Sequence, residues 1–214
     1  MKYSTAILTF FSSTSADLAL ARTRRQAPLD QGPRRYKQLT SQMEYYNSEF
    51  DERKYWAYGC QCLILGDRPM SDPGHGPPVD ELDAVCKQYK DCQKCARMTF
   101  GDMCIGEFVE YGLRITGKGP QCRDEEGTCG RALCECDKQF AQNHVEKKDV
   151  FNADYHYFWT TIGFDYLEGS CESTPGPKPD PQCCNNPAGP YTLYNANTKQ
   201  CCPNYQVKLS TETC

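Results

Sequence analysis

The sequence lacks cysteine before Cys60, holds only three histidines, and has no apolar run near the roughly 20 residues that a membrane-spanning helix needs. It therefore predicts no transmembrane segment. Hydrophobic residues, cysteines included, make up 39% of the 214 residues, which disfavours the large apolar core of a conventional cytosolic enzyme. The H-E-x-x-H, G-x-S-x-G and P-loop motifs are also missing, so the chemistries that these motifs carry are not predicted.

What the chain has in abundance is cysteine, with sixteen residues. Their even number and late start are typical of a disulfide-linked protein from an oxidising compartment, so the sequence predicts secretion. Residues 1–21 fit a signal peptide, because Lys2 gives a positive start, residues 5–11 form a short apolar stretch, and Ala19-Leu20-Ala21 is a small-residue cleavage site.

Basic residues are concentrated next to this segment. Residues 22–35 are predicted to form a pro-segment or leader, in which R-T-R-R at 22–25 is either a processing site or a solvated basic cluster. Removal of residues 1–25, with four basic and one acidic residue, changes the formal charge from −4 to −7. An acidic chain is not expected to bind nucleic acid or to adhere tightly to anionic lipid, because both depend on Lys and Arg.

Three segments have helical periodicity. The first spans residues 36–50, where apolar residues recur at intervals of four, three and four from Leu39 to Phe50. This stripe either packs on the body of the domain or lies at a lipid interface. The other two helices are predicted at 79–98 and 130–147. Between them, short β-prone pieces at 108–111 and 113–116 predict a small hairpin.

Several motifs follow one another in a recognisable order. They are Tyr58-Gly59-Cys60-Gln61-Cys62, P-V-D-E-L-D at 78–83, and cysteines at intervals of seven, five and two from Cys122 to Cys136. With these motifs the sequence resembles the secreted phospholipase A2 family over about residues 36–146. The resemblance implies a mainly α, disulfide-rich fold in residues 36–147, with an N-terminal helix, two long antiparallel helices and a small β-hairpin. In active members it also implies a calcium-binding loop.

The resemblance further implies four disulfides, which join Cys62 to Cys86, Cys92 to Cys136, Cys104 to Cys129 and Cys122 to Cys134. A further bridge of the family is missing at both ends, where Val85 and Asn143 stand, and this paired loss supports the alignment. The pairing of the other eight cysteines is left open: Cys60, Cys95, Cys171, Cys183, Cys184, Cys201, Cys202 and Cys214.

The catalytic segment of the family, C-x-x-H-D-x-C, reads C-K-Q-Y-K-D-C at 86–92. Tyr89 therefore stands at the position of the general base, and Lys90 at that of the calcium ligand. A phenol with a pKa of about 10 stays protonated near neutral pH, and an ammonium brings no oxygen for calcium. Asp137 and Tyr111 match supporting residues of the family site and are interpreted as structural remnants. The sequence predicts no intact catalytic residue, no cofactor and no bound metal.

The loop after Cys62 also disfavours calcium, because L-I-L-G replaces the glycine-rich run of the family and an insertion precedes Pro78. In this insertion Asp67 and Asp72 either form a different, weaker calcium site or are solvated. A catalytic centre rebuilt around a histidine is the disfavoured alternative. The three candidates lie in the insertion, at the fraying end of the last helix and in an aromatic stretch: His75, His144 and His156.

Residues 148–214 are predicted to form a small cysteine-rich C-terminal module. A proline-rich linker at 173–181 precedes the pairs Cys183-Cys184 and Cys201-Cys202, which resemble the di-cysteine units of galaxin-like extracellular matrix proteins. Adjacent cysteines are expected to bond to different neighbours, since a direct bond between them is strained. The module indicates binding or matrix assembly, or else a lid that stabilises the front domain.

These observations predict a secreted phospholipase A2-like protein without hydrolase activity, which binds a phospholipid surface or an extracellular protein or matrix partner. One alternative is a divergent calcium-dependent phospholipase A2 that hydrolyses sn-2 esters of phospholipids. Another is a toxin-like membrane disruptor, because lysine at the calcium-ligand position also occurs in non-hydrolytic family members. The charge of −7 disfavours the latter.

Overall fold

The computed structural model describes residues 32–55, 57–62, 72–166, 169–173 and 175–214. The predicted signal peptide, most of the predicted leader, and Asp67 lie outside the described residues. Within the ranges given, no helix has both the length and the apolar character needed to cross a membrane.

Three helices form the body of the protein: α1 is Gly32–Tyr46, α2 is Glu81–Phe100 and α3 is Cys129–Lys147. Helix α2 begins where the Asp80 carboxylate accepts the N–H of Asp83 (2.8 Å), and it ends at Gly101, whose φ of 95° favours glycine. Helix α3 begins where the Thr128 hydroxyl accepts the N–H of Arg131. Local capping signals therefore fix the bounds of the two long helices.

Helices α2 and α3 run antiparallel. Glu81, at the start of α2, lies 2.6 Å from the ammonium of Lys147 at the end of α3, and Cys92 further along α2 is bonded to Cys136. The core between them includes Leu82 and Leu133, neither of which is exposed. Burial of such side chains stabilises the fold by roughly 1.5–3 kcal/mol each.

Helix α1 begins and ends four residues earlier than the predicted 36–50. Pro33 suits a first helical turn, where no N–H donor is needed, so the helix includes the end of the predicted leader. Beyond Tyr46 the chain turns, because the N–H of Phe50 donates to the carbonyl of Asn47 (3.0 Å). Phe50 nevertheless packs on the core, which is why its apolar periodicity extended the prediction too far.

The hairpin lies later than predicted. It pairs β1, Leu113–Thr116, with β2, Gly119–Cys122, in antiparallel register. The strand predicted at 108–111 is wrong, because the N–H groups of Phe108 and Val109 both donate to the Ile105 carbonyl in a turn. A short run of β-prone residues does not distinguish a strand from such a turn.

Eight disulfides link the described chain. Four are the pairs that the resemblance implies: Cys62–Cys86, Cys92–Cys136, Cys104–Cys129 and Cys122–Cys134. Two fasten the C-terminal region to the helical body, Cys60–Cys171 and Cys95–Cys183, and two close loops inside it, Cys184–Cys201 and Cys202–Cys214. Each member of a di-cysteine pair therefore bonds to a different neighbour. Removal of one such bridge typically costs about 2–4 kcal/mol.

The C-terminal region consists of two antiparallel hairpins: β3 (Pro181–Cys184) with β4 (Thr192–Asn195), and β5 (Lys199–Cys201) with β6 (Val207–Leu209). The first hairpin packs on the end of α2. Tyr191 is buried beside Phe100 with ring centroids 6.2 Å apart, and the Asn185 amide donates to the Thr99 hydroxyl (2.9 Å). The fold is thus mainly helical, with a cysteine-rich β-containing C-terminal region.

Candidate functional site

Tyr89 on α2 and Asp137 on α3 face each other in a buried polar cluster. The Tyr89 hydroxyl donates to Asp137 Oδ1 (2.9 Å), and the Tyr111 hydroxyl donates to Oδ2 (2.5 Å). Gln93 Nε2 also donates to Oδ1 (3.2 Å), and Gln42 Nε2 of α1 donates to the Tyr111 hydroxyl (3.0 Å). The structure therefore brings Tyr89, Tyr111 and Asp137 together. The carboxylate joins α2 to α3 directly, and Tyr111 extends the cluster to Gln42 of α1.

Burial sets the protonation states of this cluster. Desolvation raises the pKa of Asp137 to about 7, although its phenol donors act in the opposite direction. Desolvation and the Asp137 charge together raise the pKa of Tyr89 and of Tyr111 well above the ordinary value of 10. Both phenols therefore keep their protons near neutral pH, and both oxygens of Asp137 are already occupied as acceptors. The arrangement ties the helices together through the Asp137 carboxylate.

Lys90, the next residue of α2, is placed against the loop that precedes the helix. It is buried (6% exposed), and its Nζ donates to the backbone carbonyl of Asp72 (2.9 Å). The Asp72 carboxylate lies 3.4 Å from the Arg97 guanidinium. The backbone carbonyl of Asp72 thus faces the Lys90 ammonium, and its carboxylate faces the Arg97 guanidinium.

Calcium does not fit the residues that the structure describes here. It requires six to eight oxygen ligands, whereas the ammonium of Lys90 already contacts the nearby carbonyl. Across the described ranges no three His, Cys, Asp or Glu side chains are grouped to hold a metal ion. Asp67 lies outside those ranges, so a weaker calcium site that it forms with Asp72 stays a prediction.

Asp83 organises the loop, a role that the sequence analysis missed. Its fully buried carboxylate accepts the backbone N–H groups of four residues, Cys60 (2.8 Å), Gln61 (2.7 Å), Cys62 (3.1 Å) and Val79 (3.0 Å). Gly59 permits this approach, since its φ is 58° and a Cβ there would lie 2.4 Å from Asp83 Cγ. The available signal was an acidic residue in the first turn of α2, three residues after the cap.

An apolar slot lies beside the polar cluster, between α1 and α3. Leu39 and Met43 line it from α1, Phe140 lines it from α3, and the Cys62–Cys86 disulfide borders it. Its free volume is about 20 Å³, which is room for about one water molecule. His144, one turn beyond Phe140, completes the lining. The expectation that His144 lies at a fraying helix end is wrong, because the residue is 0% exposed.

Two histidines are buried in different ways. His144 meets the ring of Tyr55 edge-on, with centroids 4.1 Å apart, and burial lowers its pKa to about 4. Its imidazole is therefore neutral near pH 7. His156 is equally enclosed but paired, because its Nε2 lies 3.0 Å from the Arg53 carbonyl and the Phe158 N–H donates to its Nδ1 (3.2 Å). His156 thus has a structural role, whereas His144 lines the slot.

Two antiparallel helices joined by disulfides, with a shared carboxylate between them and an apolar slot alongside, define a disulfide-linked, mainly helical domain. A family model described as phospholipase A2 matches residues 36–156, and the chain belongs to the phospholipase A2 family. It is 30% identical over 105 residues to group IID secretory phospholipase A2 of Mus musculus, which covers 49% of this chain and 65% of that relative. It is 28% identical over 131 residues to a phospholipase A2 of Calliactis polypus, or 61% of this chain and 70% of that relative. The chain thus spans about two thirds of the length of these relatives.

Proposed function

We propose that this chain is a secreted phospholipase A2-family protein that binds a lipid surface without hydrolysing it. The observation that carries the proposal is the hydroxyl of Tyr89 donating to Asp137 (2.9 Å) at the position where hydrolysis requires a proton acceptor. A positioned general base typically contributes about 10² to 10⁴ in rate. Its replacement by a protonated phenol is expected to leave hydrolysis near the background rate.

The environment of Lys90 supports the same proposal. Calcium would stabilise the negative charge that develops during ester hydrolysis, and the Lys90 ammonium donates instead to a loop carbonyl (2.9 Å). An ammonium is a fixed donor that cannot coordinate substrate oxygens as a multivalent cation does. Binding by this protein is therefore expected to be independent of calcium.

One loop supplies a surface suited to lipid. Phe158 is 65% exposed, Ile162 is 68% exposed and Trp159 is 43% exposed. The Trp159 ring stacks on His156 with centroids 4.1 Å apart, which holds the loop on a rigid base. Aromatic side chains favour the headgroup region of a bilayer. With a net charge of −7 after removal of residues 1–25, a zwitterionic surface is the expected target.

Secretion and a matrix role belong to the same proposal. Eight disulfides in the described chain favour an oxidising compartment, and residues 1–21 are the proposed signal peptide. The hairpins of residues 181–209 are the proposed contact for an extracellular partner. Mass spectrometry of the protein recovered from culture medium tests the cleavage, and a start before residue 22 would contradict it.

A vesicle assay tests the main proposal. The purified protein is incubated with phosphatidylcholine vesicles, with and without phosphatidylserine and with and without calcium, beside an active phospholipase A2. We expect sedimentation with phosphatidylcholine vesicles and no fatty acid release, whereas steady calcium-dependent release would establish the divergent hydrolase instead. Replacement of Phe158 and Ile162 by Ser is expected to weaken sedimentation at least tenfold. The matched control is Val150→Ser, which changes an apolar residue 37% exposed in a different turn.

A further inference from the structure

A second cavity lies beside the last turns of α2, where the helix passes the loop that precedes it. Its free volume is about 250 Å³, which is room for a small molecule, since a water molecule occupies about 30 Å³ in the liquid. The proposed function makes no use of this cavity. Its lining combines apolar and charged side chains: Pro73, Lys94, Arg97, Met98 and Asp102.

Met98 is the oxidisable side chain of the cavity. It is 53% exposed, and its Sδ lies 3.7 Å from the Sγ of Cys183, which is bonded to Cys95 one turn earlier on α2. The chain offers two methionines for comparison. Met103, in the turn after the helix, is 66% exposed, whereas Met43 is 2% exposed. Exposure alone therefore predicts that Met103 is oxidised faster than Met98.

The two cations of the cavity are engaged differently. The Arg97 guanidinium lies 3.4 Å from the Asp72 carboxylate and 3.6 Å from that of Asp102. Within the described ranges no carboxylate pairs with the Lys94 ammonium. Residues four apart on a helix are neighbours on its surface, so Lys94 and Met98 lie side by side in the cavity wall. The cavity thus holds a nucleophilic sulfur next to an ammonium that can donate a hydrogen bond.

We propose that Met98 is a site of oxidation by a hydroperoxide that enters this cavity. The thioether sulfur attacks the outer oxygen of the hydroperoxide, the O–O bond breaks, and the sulfur is oxidised to a sulfoxide. The inner oxygen is reduced and leaves as water or an alcohol, with the proton of the outer oxygen. The Lys94 ammonium donates a hydrogen bond to this leaving oxygen as negative charge develops on it. The polarisable sulfur of Cys183 faces the positive charge that develops on the thioether.

Oxidation is expected to loosen the attachment of the C-terminal region. A sulfoxide is polar, so it suits the contact with the disulfide less well than a thioether does, and its oxygen accepts a hydrogen bond from Lys94. Cys183 belongs to β3, and the hairpin of β3 and β4 also contacts Thr99 and Phe100 of α2. Because the disulfide from Cys95 stays intact, the attachment weakens without being lost.

Peptide mapping tests the site. The full chain is treated with hydrogen peroxide and, separately, with tert-butyl hydroperoxide, and sulfoxide formation at each methionine is followed by mass spectrometry. Met98 is expected to be oxidised about fivefold faster than Met103, which is the factor that one additional hydrogen bond in the transition state supplies. A preference with hydrogen peroxide alone assigns the site to that oxidant, and one with both reagents extends it to organic hydroperoxides. A Met98 rate no faster than that of Met103 with both reagents overturns the proposal without the use of any variant.

Variants at position 94 test the assistance by the ammonium. Lys94→Gln is expected to lower the Met98 rate to that of Met103, whereas Lys94→Arg keeps a cationic donor and is expected to retain the preference. The matched control is Lys118→Gln, which removes an exposed cation from the turn between β1 and β2. An unchanged Met98 rate in Lys94→Gln overturns the role of Lys94.

Amide hydrogen exchange tests the consequence. Exchange at residues 181–184 is expected to become faster after peroxide treatment of the wild type. It is expected to stay unchanged in Met98→Leu, which keeps an apolar contact and cannot be oxidised. Equal exchange in the oxidised and unoxidised wild type overturns the loosening of the C-terminal region.

Discussion

Replacement of His144 by Phe is expected to change how the stability of the protein depends on pH. Burial lowers the pKa of His144 to about 4 from the ordinary 6.5. As the pH falls below about 6.5, this imidazole binds a proton in the unfolded state but stays neutral in the folded state. The free energy of unfolding therefore decreases until the pH reaches about 4. The difference between the two pKa values corresponds to about 3 kcal/mol. His144→Phe removes this loss, because phenylalanine does not titrate.

The assay is guanidinium unfolding with the disulfides intact, followed by tryptophan fluorescence, for both proteins between about pH 7 and about pH 4. The stability of the variant relative to the wild type is expected to rise by about 3 kcal/mol over this interval. At pH 7 the variant is also expected to be the more stable, because it lacks two unpaired buried nitrogens that together cost at least about 1 kcal/mol. Glu52 is the carboxylate that lines the same slot, so the comparison is repeated with Glu52→Gln. The burial of a neutral imidazole is refuted if the difference in stability between His144→Phe and the wild type does not change with pH, both with Glu52 and with Glu52→Gln.

Three further outcomes follow from the polar cluster, the loop and the tail. Asp137 has a pKa raised to about 7, so its contribution to stability is complete below about pH 4 and is lost as the pH rises through 7. Over this interval the free energy of unfolding of Asp137→Asn should rise by about 4 kcal/mol relative to that of the wild type. A relative stability that falls as the pH rises would contradict the assigned direction of the shift. Lys90→Met removes the donor to the Asp72 carbonyl, so amide hydrogen exchange at residues 72–76 should become faster, whereas unchanged exchange would show that the ammonium does not hold the loop. Replacing Cys95 and Cys183 by Ser should lower the free energy of unfolding by about 2–4 kcal/mol and expose residues 175–180 to limited proteolysis, and continued resistance would mean that packing alone secures the tail.

The three helices could be predicted from the sequence because their periodicity is local. The six-residue interval from Cys86 to Cys92 fixes which side chain faces α3, so Tyr89 could be identified from its place between them. The end of α1 could not be located this way. Phe50 continues the apolar periodicity but reaches the core from a turn, and periodicity records burial rather than backbone conformation.

The contacts within the site could not be predicted from the sequence, because they join residues that are far apart along the chain. The contact of Lys90 with the Asp72 carbonyl depends on the path of the loop that precedes α2. The buried Asp83 carboxylate helps to hold the chain at this loop. The burial of His144 depends on Tyr55, which precedes the loop and packs edge-on against the imidazole. The only local signal was the interval of four from Phe140, which places both residues on one face of α3.

A hydrolase needs polar groups that its own fold leaves unsatisfied, because such groups are the ones available to a substrate. At Asp137 both carboxylate oxygens accept hydrogen bonds from tyrosine hydroxyls, and at Lys90 the ammonium donates to the protein's own backbone. Both groups thus form internal hydrogen bonds that stabilise the fold. His144 lies seven residues beyond Asp137, which is two turns along the same helix, and both of its nitrogens lack a partner within the described chain. The polar groups of Asp137 and Lys90 are therefore engaged by the protein itself, whereas the imidazole of His144, on the same face of α3 as Phe140, is enclosed by aromatic rings.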